Sequence, residues 1–244
     1  MTSRHATANL AIPETGLHRP FSDTLAVWAF GTIQWPWLLR SLHGGRQADK
    51  AALLDHVGLP RNALPNLGSW KADTHFLSHI VRATEILQPQ VVVELGCGAS
   101  TLILAQSMAH NGAGVLYSYD QHAAFATATG QWVAEYGLSA QIDHAPLGPS
   151  PAGWPGSWYQ LPECPPDIDL LIIDGPPWAV HPYVRGAAET LFARLRPGAI
   201  ILLDDAARPG ERVVARRWRE THRDIDFHLD KDGAKGTLIG QKRA

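Results

Sequence analysis

The sequence predicts an α/β protein: a doubly wound, mostly parallel sheet of seven strands, an antiparallel last strand, and a partly helical N-terminal cap. Three observations carry this reading. Leu170-Leu171-Ile172-Ile173 is continuously apolar, as strands covered on both faces are. Such runs alternate with helix-length segments from about residue 72 onward, which favours parallel strands joined by crossover helices. The closing stretch, Ile225 to Leu229, an Asp232-Gly233 turn and Gly236 to Ile239, reads as a hairpin.

Residues 1–20 read as a loose tail and 21–71 as the cap, punctuated by Pro36, Gly44-Gly45, Gly58-Leu59-Pro60 and Pro65. Within the cap, Thr24 to Leu39 is apolar and rich in tryptophan. It is shorter than the roughly 20 residues of a spanning helix, and Gln34 and Pro36 interrupt it. Interior packing or a homo-oligomer interface is expected there rather than membrane contact.

The main domain runs over 72–244. Asp73 or Thr74 caps a helix whose apolar face carries Phe76, Leu77, Ile80, Val81, Ala83 and Leu87, and Pro89 ends it. Strand 91–95 leads to a helix over 100–110, strand 115–119 to a helix over 123–136, and Gln141 to Asp143 makes a short strand. Residues 146–166 form a loop dense in Pro, Gly and Trp. Strand 169–173 precedes a helix over 183–195, with Arg185 and Glu189 placed to pair at i,i+4 and Pro197-Gly198 as its stop. Strand 199–203 and a helix over 211–221 complete the alternation.

Composition narrows the function. A formal net charge of -2 provides no global basic field for nucleic acid or anionic membrane. Arg212, Arg216, Arg217, Arg219 and Arg223 make the last helix basic, but Glu211 and Glu220 interleave with them, as on a solvated face. The cysteines, Cys97 and Cys164, form no disulfide framework, and Met1 to Pro20 lacks the basic start and apolar core of a signal peptide. A cytoplasmic protein with a small-molecule substrate is expected.

The decisive stretch is Val91-Val92-Val93-Glu94-Leu95-Gly96-Cys97-Gly98-Ala99-Ser100-Thr101. A buried strand enters a glycine turn and a helix begins, the place where open parallel sheets bind ligands. Asp120 closes the neighbouring strand, where a carboxylate can accept ribose hydroxyls. A dinucleotide fingerprint requires a third glycine, but Thr101 stands there. Glu94 would repel a pyrophosphate and suits a cationic cofactor such as S-adenosylmethionine, which disfavours an NAD-dependent dehydrogenase. The bland alternative is an ordinary strand-to-helix turn.

On these residues the chain resembles the class I S-adenosylmethionine-dependent methyltransferases: residues 91–101 are similar to their E-x-G-x-G motif and Asp120 to their ribose-binding acid. The resemblance implies that Glu94, Gly96 and Gly98 line the methionine end, Asp120 the ribose, and Asp143 or His144 the adenine. Cys97, Ser100, Gln121 and Asp174 complete the implied cofactor-contacting set.

Two further strands end in acid: one delivers Asp174, followed by Gly175-Pro176-Pro177-Trp178, and the other Asp204 and Asp205. In a parallel sheet these carboxylates converge, and like charges so placed need cations. Oxygen ligands favour a hard divalent ion such as Mg²⁺. Helix capping and turn bonding are the structural alternatives for the same acids.

The segments around Asp174 and Asp204-Asp205 resemble methyltransferase family 24, whose relatives include metal-dependent sugar and catechol-type O-methyltransferases. This implies metal ligation by Asp174, Asp204 and Asp205 and methyl transfer to a small-molecule hydroxyl. The lysine base of the catechol-type enzymes is absent after Asp174, which leaves His181, then His144, as candidate bases. Trp154, Trp158, Tyr159 and Trp178 are expected to flank the acceptor or to pack as a lid, and Arg208 to hold an anionic group or a carboxylate. Competing readings are a metal-dependent hydroxylase-like relative and a non-catalytic cofactor-binding assembly protein.

Overall fold

A computed structural model of the chain describes residues 20–69, 71–151 and 153–243. The expected tail lies almost wholly outside them. In chain order the elements are α1 (Phe21–Ser41), α2 (Gln47–Val57), α3 (Thr74–Leu87), β1 (Val91–Leu95), α4 (Ala99–Asn111), β2 (Val115–Asp120), α5 (Ala123–Glu135) and β3 (Gln141–His144). They continue with β4 (Leu147–Pro149), β5 (Ser157–Tyr159), β6 (Ile168–Ile173), a 3-10 helix (Val184–Arg194), β7 (Leu195–Leu203), α6 (Pro209–Thr221), β8 (Ile225–Asp230) and β9 (Thr237–Lys242).

Seven strands form one sheet in the order β3-β2-β1-β6-β7-β9-β8. The pairs from β3 to β7 are parallel, whereas β9 is antiparallel to both β7 and β8. The chain order reverses between β1 and β6, so their carboxyl ends open the crevice in which such sheets bind ligands.

The two-residue side-chain period divides each central strand between two cores. Val92, Leu170, Ile172 and Leu202 face the core built with α2, α3 and α4, through Leu54, Phe76, Leu77, Ile80, Leu102 and Ile103. Val93, Leu95, Leu171, Ile173, Ile201 and Leu203 face the opposite core, with Val184, Leu191, Phe192, Val214 and Trp218. Each fully buried Leu or Ile contributes about 1.5–3 kcal/mol. Asp73 caps α3 as expected, its Oδ1 accepting from the Phe76 N–H at 2.8 Å.

Several expectations change. Pro36 does not interrupt the apolar cap segment; it lies inside a continuous α1. The segment after Tyr183 is a 3-10 helix, in which residues three apart eclipse. Arg185 and Glu189 therefore point to different partners: Arg185 to Asp174 and Asp205, Glu189 to Trp154, Arg217 and His222. Pro197-Gly198 does not stop that helix but sits within β7, where the register jumps from Leu195↔Ile168 to Ile200↔Leu170. A bulge of this kind accommodates a residue without an N–H. The loop over 146–166 contains the β4–β5 hairpin.

α1 buries little. The Phe30 ring meets Tyr183 edge-on at 5.1 Å, and Arg40 donates to the Gly233 carbonyl at 3.0 Å. Phe21, Leu25, Trp28, Trp35, Leu39 and Leu42 remain at least half exposed. Among the described residues, no helix is long and apolar enough to cross a membrane.

Candidate functional site

β1 delivers Glu94 to the crevice fully buried. The parallel register sets it beside Ser118 of β2, whose hydroxyl donates to Glu94 Oε2 at 2.5 Å. Thr101, where a third glycine would stand in a dinucleotide site, donates to the same oxygen at 2.6 Å and accepts from the Gly98 N–H at 2.8 Å. Glu94 Oε1 is buried without a hydrogen-bond partner. Burial pushes this carboxyl up to about 7, against the surrounding hydroxyls of Ser100, Ser118 and Thr101.

The turn after β1 needs its glycine. Gly96 has φ 96°, and a Cβ there would lie 2.8 Å from the Gly175 nitrogen. The chain after β1 thus runs against the chain after β6, whose Asp174 and Gly175 N–H groups both donate to the Leu95 carbonyl at 2.8 Å.

Asp120 ends β2, fully buried. Its Oδ1 accepts from the His122 N–H at 2.8 Å, whereas Oδ2 has no partner, and burial raises the carboxyl to about 6. Gln121 is buried beside it and accepts from the Tyr159 hydroxyl at 3.1 Å. Asp143 and His144 end β3 opposite Tyr119 and Asp120, with His144 Nε2 3.1 Å from the Gln121 carbonyl. Cys97 packs into the core, its Sγ 3.4 Å from the Thr129 hydroxyl, and burial raises the thiol well above its ordinary range. Two orphaned acceptors, on Glu94 and Asp120, therefore stand near the carboxyl ends of adjacent strands, beside a glycine turn. An ammonium group and a ribose hydroxyl would satisfy them, so these residues fit S-adenosylmethionine.

Asp174, Asp204 and Asp205 converge as expected, each offering an oxygen within 4.8 Å of the others. Three cations already hold them. Lys235 Nζ lies 3.3 Å from Asp204 Oδ2 and 3.5 Å from Asp205 Oδ1. Arg185 spans Asp174 at 3.3 Å and Asp205 at 3.2 Å, and Arg208 meets Asp205 at 2.8 Å. Burial opposes the charge on Asp205, yet Arg208, Lys235 and Arg185 hold its carboxyl below the usual range. Burial raises Asp204 well above its ordinary value despite Lys235, and raises nearby Glu211 to about 7 despite Arg208 and Arg185.

Beside these ion pairs the three carboxylates are also a geometric candidate for a divalent ion. An added double charge would repel Lys235, Arg185 and Arg208, so an ion there would compete with them. In the structure Asp174, Asp204 and Asp205 are the anionic partners of a buried ion-pair network. Arg208 takes the second of its two expected roles, pairing with a carboxylate.

Residues 93–206 match the model of a methyltransferase domain family. An SAH-bound methyltransferase from Podospora anserina superposes with a TM-score of 0.55 at 14% identity, covering 94% of this chain and 100% of that one. An O-methyltransferase from Bacillus cereus in complex with SAH gives 0.53 at 13% identity, covering 89% and 100%. The SAM-bound O-methyltransferase TomG from Streptomyces achromogenes, involved in tomaymycin synthesis, gives 0.51 at 14% identity, covering 91% and 97%. No curated protein matches the sequence at a significant level.

The chain has the class I methyltransferase fold.

Within this methyltransferase fold the candidate bases part company. β3 lies three strands from β6, about 14 Å at the usual strand spacing, so His144 stands beside Asp120, away from the loop after β6. His181 follows β6, buried, its Nδ1 accepting from the Tyr183 N–H at 3.1 Å.

The β4–β5 hairpin carries Trp158 and Tyr159, both buried, over the crevice. A Cβ on Gly175 would lie 2.0 Å from the Tyr159 hydroxyl. Trp154 does not wall this crevice: it packs on Gly186, donates to Glu189 at 2.7 Å and stacks under Arg217.

Sequence reasoning missed Lys235, Arg185, Ser118 and Glu211 as site-forming residues. Lys235 lies in a hairpin turn, where a lone lysine gives no signal. Ser118 could have been found from the strand register, since it stands across from Glu94.

Proposed function

We propose that the chain is an S-adenosylmethionine-dependent methyltransferase acting on a hydroxyl group of a small molecule. The observation that carries this reading is the pair of fully buried, unpartnered acceptors, Glu94 Oε1 and Asp120 Oδ2, at the ends of adjacent strands. The cofactor supplies the methyl group on a cationic sulfur. Glu94 holds the ammonium end, Asp120 with Gln121 holds the ribose, and Asp143 and His144 border the adenine. Ser100 and the Gly96–Gly98 turn close the methionine end, with Cys97 supplying backbone there.

The acceptor enters beside Asp174, against Trp158, Tyr159 and Trp178. Tyr159 reaches from the hairpin to Gln121 and so bounds the cofactor and acceptor ends together. His181, on the loop after β6, takes the acceptor proton. The three cations around Asp174, Asp204 and Asp205 keep the loops after β6 and β7 in place without a divalent ion. Mg²⁺ is the alternative partner of those acids, favoured by their convergence, and it would have to displace Lys235.

Binding of S-adenosylhomocysteine by calorimetry, followed by transfer of radiolabelled methyl to a panel of hydroxylated sugars and aromatics, tests the proposal. Failure to bind the cofactor would refute it.

A self-associating form is also proposed. Phe21, Leu25, Trp28, Trp35, Leu39 and Leu42 follow the alternating three- and four-residue steps of a coiled-coil seam, with Thr32 in register. That spacing suits the same helix of a second copy.

A further inference from the structure

We propose that His75, His79 and Asp230 form a first-row transition-metal site, of the kind that takes Zn²⁺, on the sheet edge remote from the cofactor strands.

The three residues come from distant parts of the chain. His75 and His79 sit one turn apart on α3, so their rings share a face. Asp230 ends β8. His79 Nε2 lies 2.9 Å from Asp230 Oδ2, His75 Nε2 lies 3.2 Å from the same oxygen, and the two Nε2 atoms are 3.2 Å apart. Three lone-pair atoms thus form a nearly equilateral face. A metal bonded to each at about 2.0–2.1 Å would separate its ligands by about 2.9 Å in an octahedral arrangement and about 3.3 Å in a tetrahedral one. The observed edges of 2.9, 3.2 and 3.2 Å fall within that interval.

Hydrogen bonding alone accounts poorly for the same face. For both imidazoles to donate to one carboxylate oxygen, two N–H groups must converge within 3.2 Å. A cation satisfies all three atoms at once.

The supports of the site are built in. Asp230 Oδ1 accepts from the Asp232 N–H at 2.8 Å, which orients the carboxylate. Asp73 joins the two elements, its Oδ1 accepting from Phe76 in α3 and its Oδ2 from the Ala234 N–H in the hairpin turn at 2.9 Å. The three side chains keep 34%, 16% and 23% of their surface exposed, enough for an ion to enter and retain water. Two imidazoles and one carboxylate select borderline ions over Mg²⁺ or Ca²⁺. Bound there, the ion would fasten α3 to the turn that carries Lys235.

The test uses the full untagged chain, stripped with chelator and titrated with Zn²⁺ by calorimetry, with Co²⁺ absorption as a second probe. The expected result is one equivalent of tightly bound metal and visible Co²⁺ bands. Both are lost, with affinity falling at least about tenfold, in His75→Gln/His79→Gln. Circular dichroism of that variant checks that it folds, and Asp230→Asn provides an independent second variant. Absence of stoichiometric binding, or binding unchanged in both variants, overturns the proposal. So does metal binding lost only in Asp174→Asn, which would place the ion among the acids after β6 and β7.

Discussion

The Lys235 ammonium lies 3.3 Å from the Asp204 carboxylate, with both side chains buried and 31 residues apart in sequence. The β8–β9 turn is thereby fixed to the end of β7. Breaking a buried pair from one side leaves an uncompensated charge. Lys235→Met is expected to lower unfolding stability by about 3–5 kcal/mol in urea melts. Adding Asp204→Asn should recover part of the loss. A change under about 1 kcal/mol would show that the pair contributes little.

Charge balance also bears on metal dependence. Because Lys235, Arg185 and Arg208 already compensate Asp174, Asp204 and Asp205, EDTA is expected to leave methyl transfer to an identified acceptor unchanged. Abolition of activity by chelator, with restoration by Mg²⁺, would place a divalent ion at those acids.

Cofactor affinity should depend on Asp120. Asp120→Ala removes the buried acceptor expected to hold the ribose and is predicted to weaken S-adenosylhomocysteine binding at least about tenfold. Calorimetry measures this directly, and an unchanged dissociation constant would remove the ribose assignment.

Glu94 makes a pH signature. Burial raises its carboxyl to about 7 from the ordinary 4.5. The folded, ligand-free protein therefore holds a proton that the unfolded chain has lost between those values. This contribution to stability is fully present below about 4.5 and is lost as pH rises through 7. A cationic ligand favours the ionised form, so binding releases the proton. S-adenosylmethionine affinity is expected to rise up to about tenfold per pH unit below 7 and to level off above it. Glu94→Gln should flatten the profile. Calorimetry in buffers of different ionisation enthalpy detects the released proton, and a flat profile for the unaltered chain would refute the assignment.

The exposed seam of α1 predicts self-association. Leu25→Glu with Trp28→Glu should shift the chain toward monomer in sedimentation velocity. A monomeric unaltered chain would refute it.

Much of this molecule was legible in its residues. The central strands are buried on both faces, so their apolar runs announce themselves, and β1 matches its expected limits. The glycine turn, Glu94 and Asp120 were readable because the chemistry is local to strand ends. What escaped was non-local or short. The β4–β5 strands have three residues each, too few for a period to show. Arg185 was misread because i,i+4 logic assumes an α-helix, whereas the 3-10 helix turns it toward Asp174 and Asp205. The convergence of Asp174, Asp204 and Asp205 was legible, whereas the cations that pair with them arrive from a helix, a turn and a hairpin spread over 185–235 and were not.

The contact at Gly96 has a mechanical consequence. With a Cβ of its own it would press into the Gly175 nitrogen, and Gly175 in turn has no room beneath the Tyr159 hydroxyl. Three segments, after β1, after β6 and in the β4–β5 hairpin, are stacked with no slack. The walls of the proposed donor and acceptor sites therefore cannot be tuned separately. Widening one half for a bulkier acceptor would loosen the grip of the other on its donor, so altered specificity in this scaffold should begin outside the Gly96–Gly175–Tyr159 contacts, at Trp178.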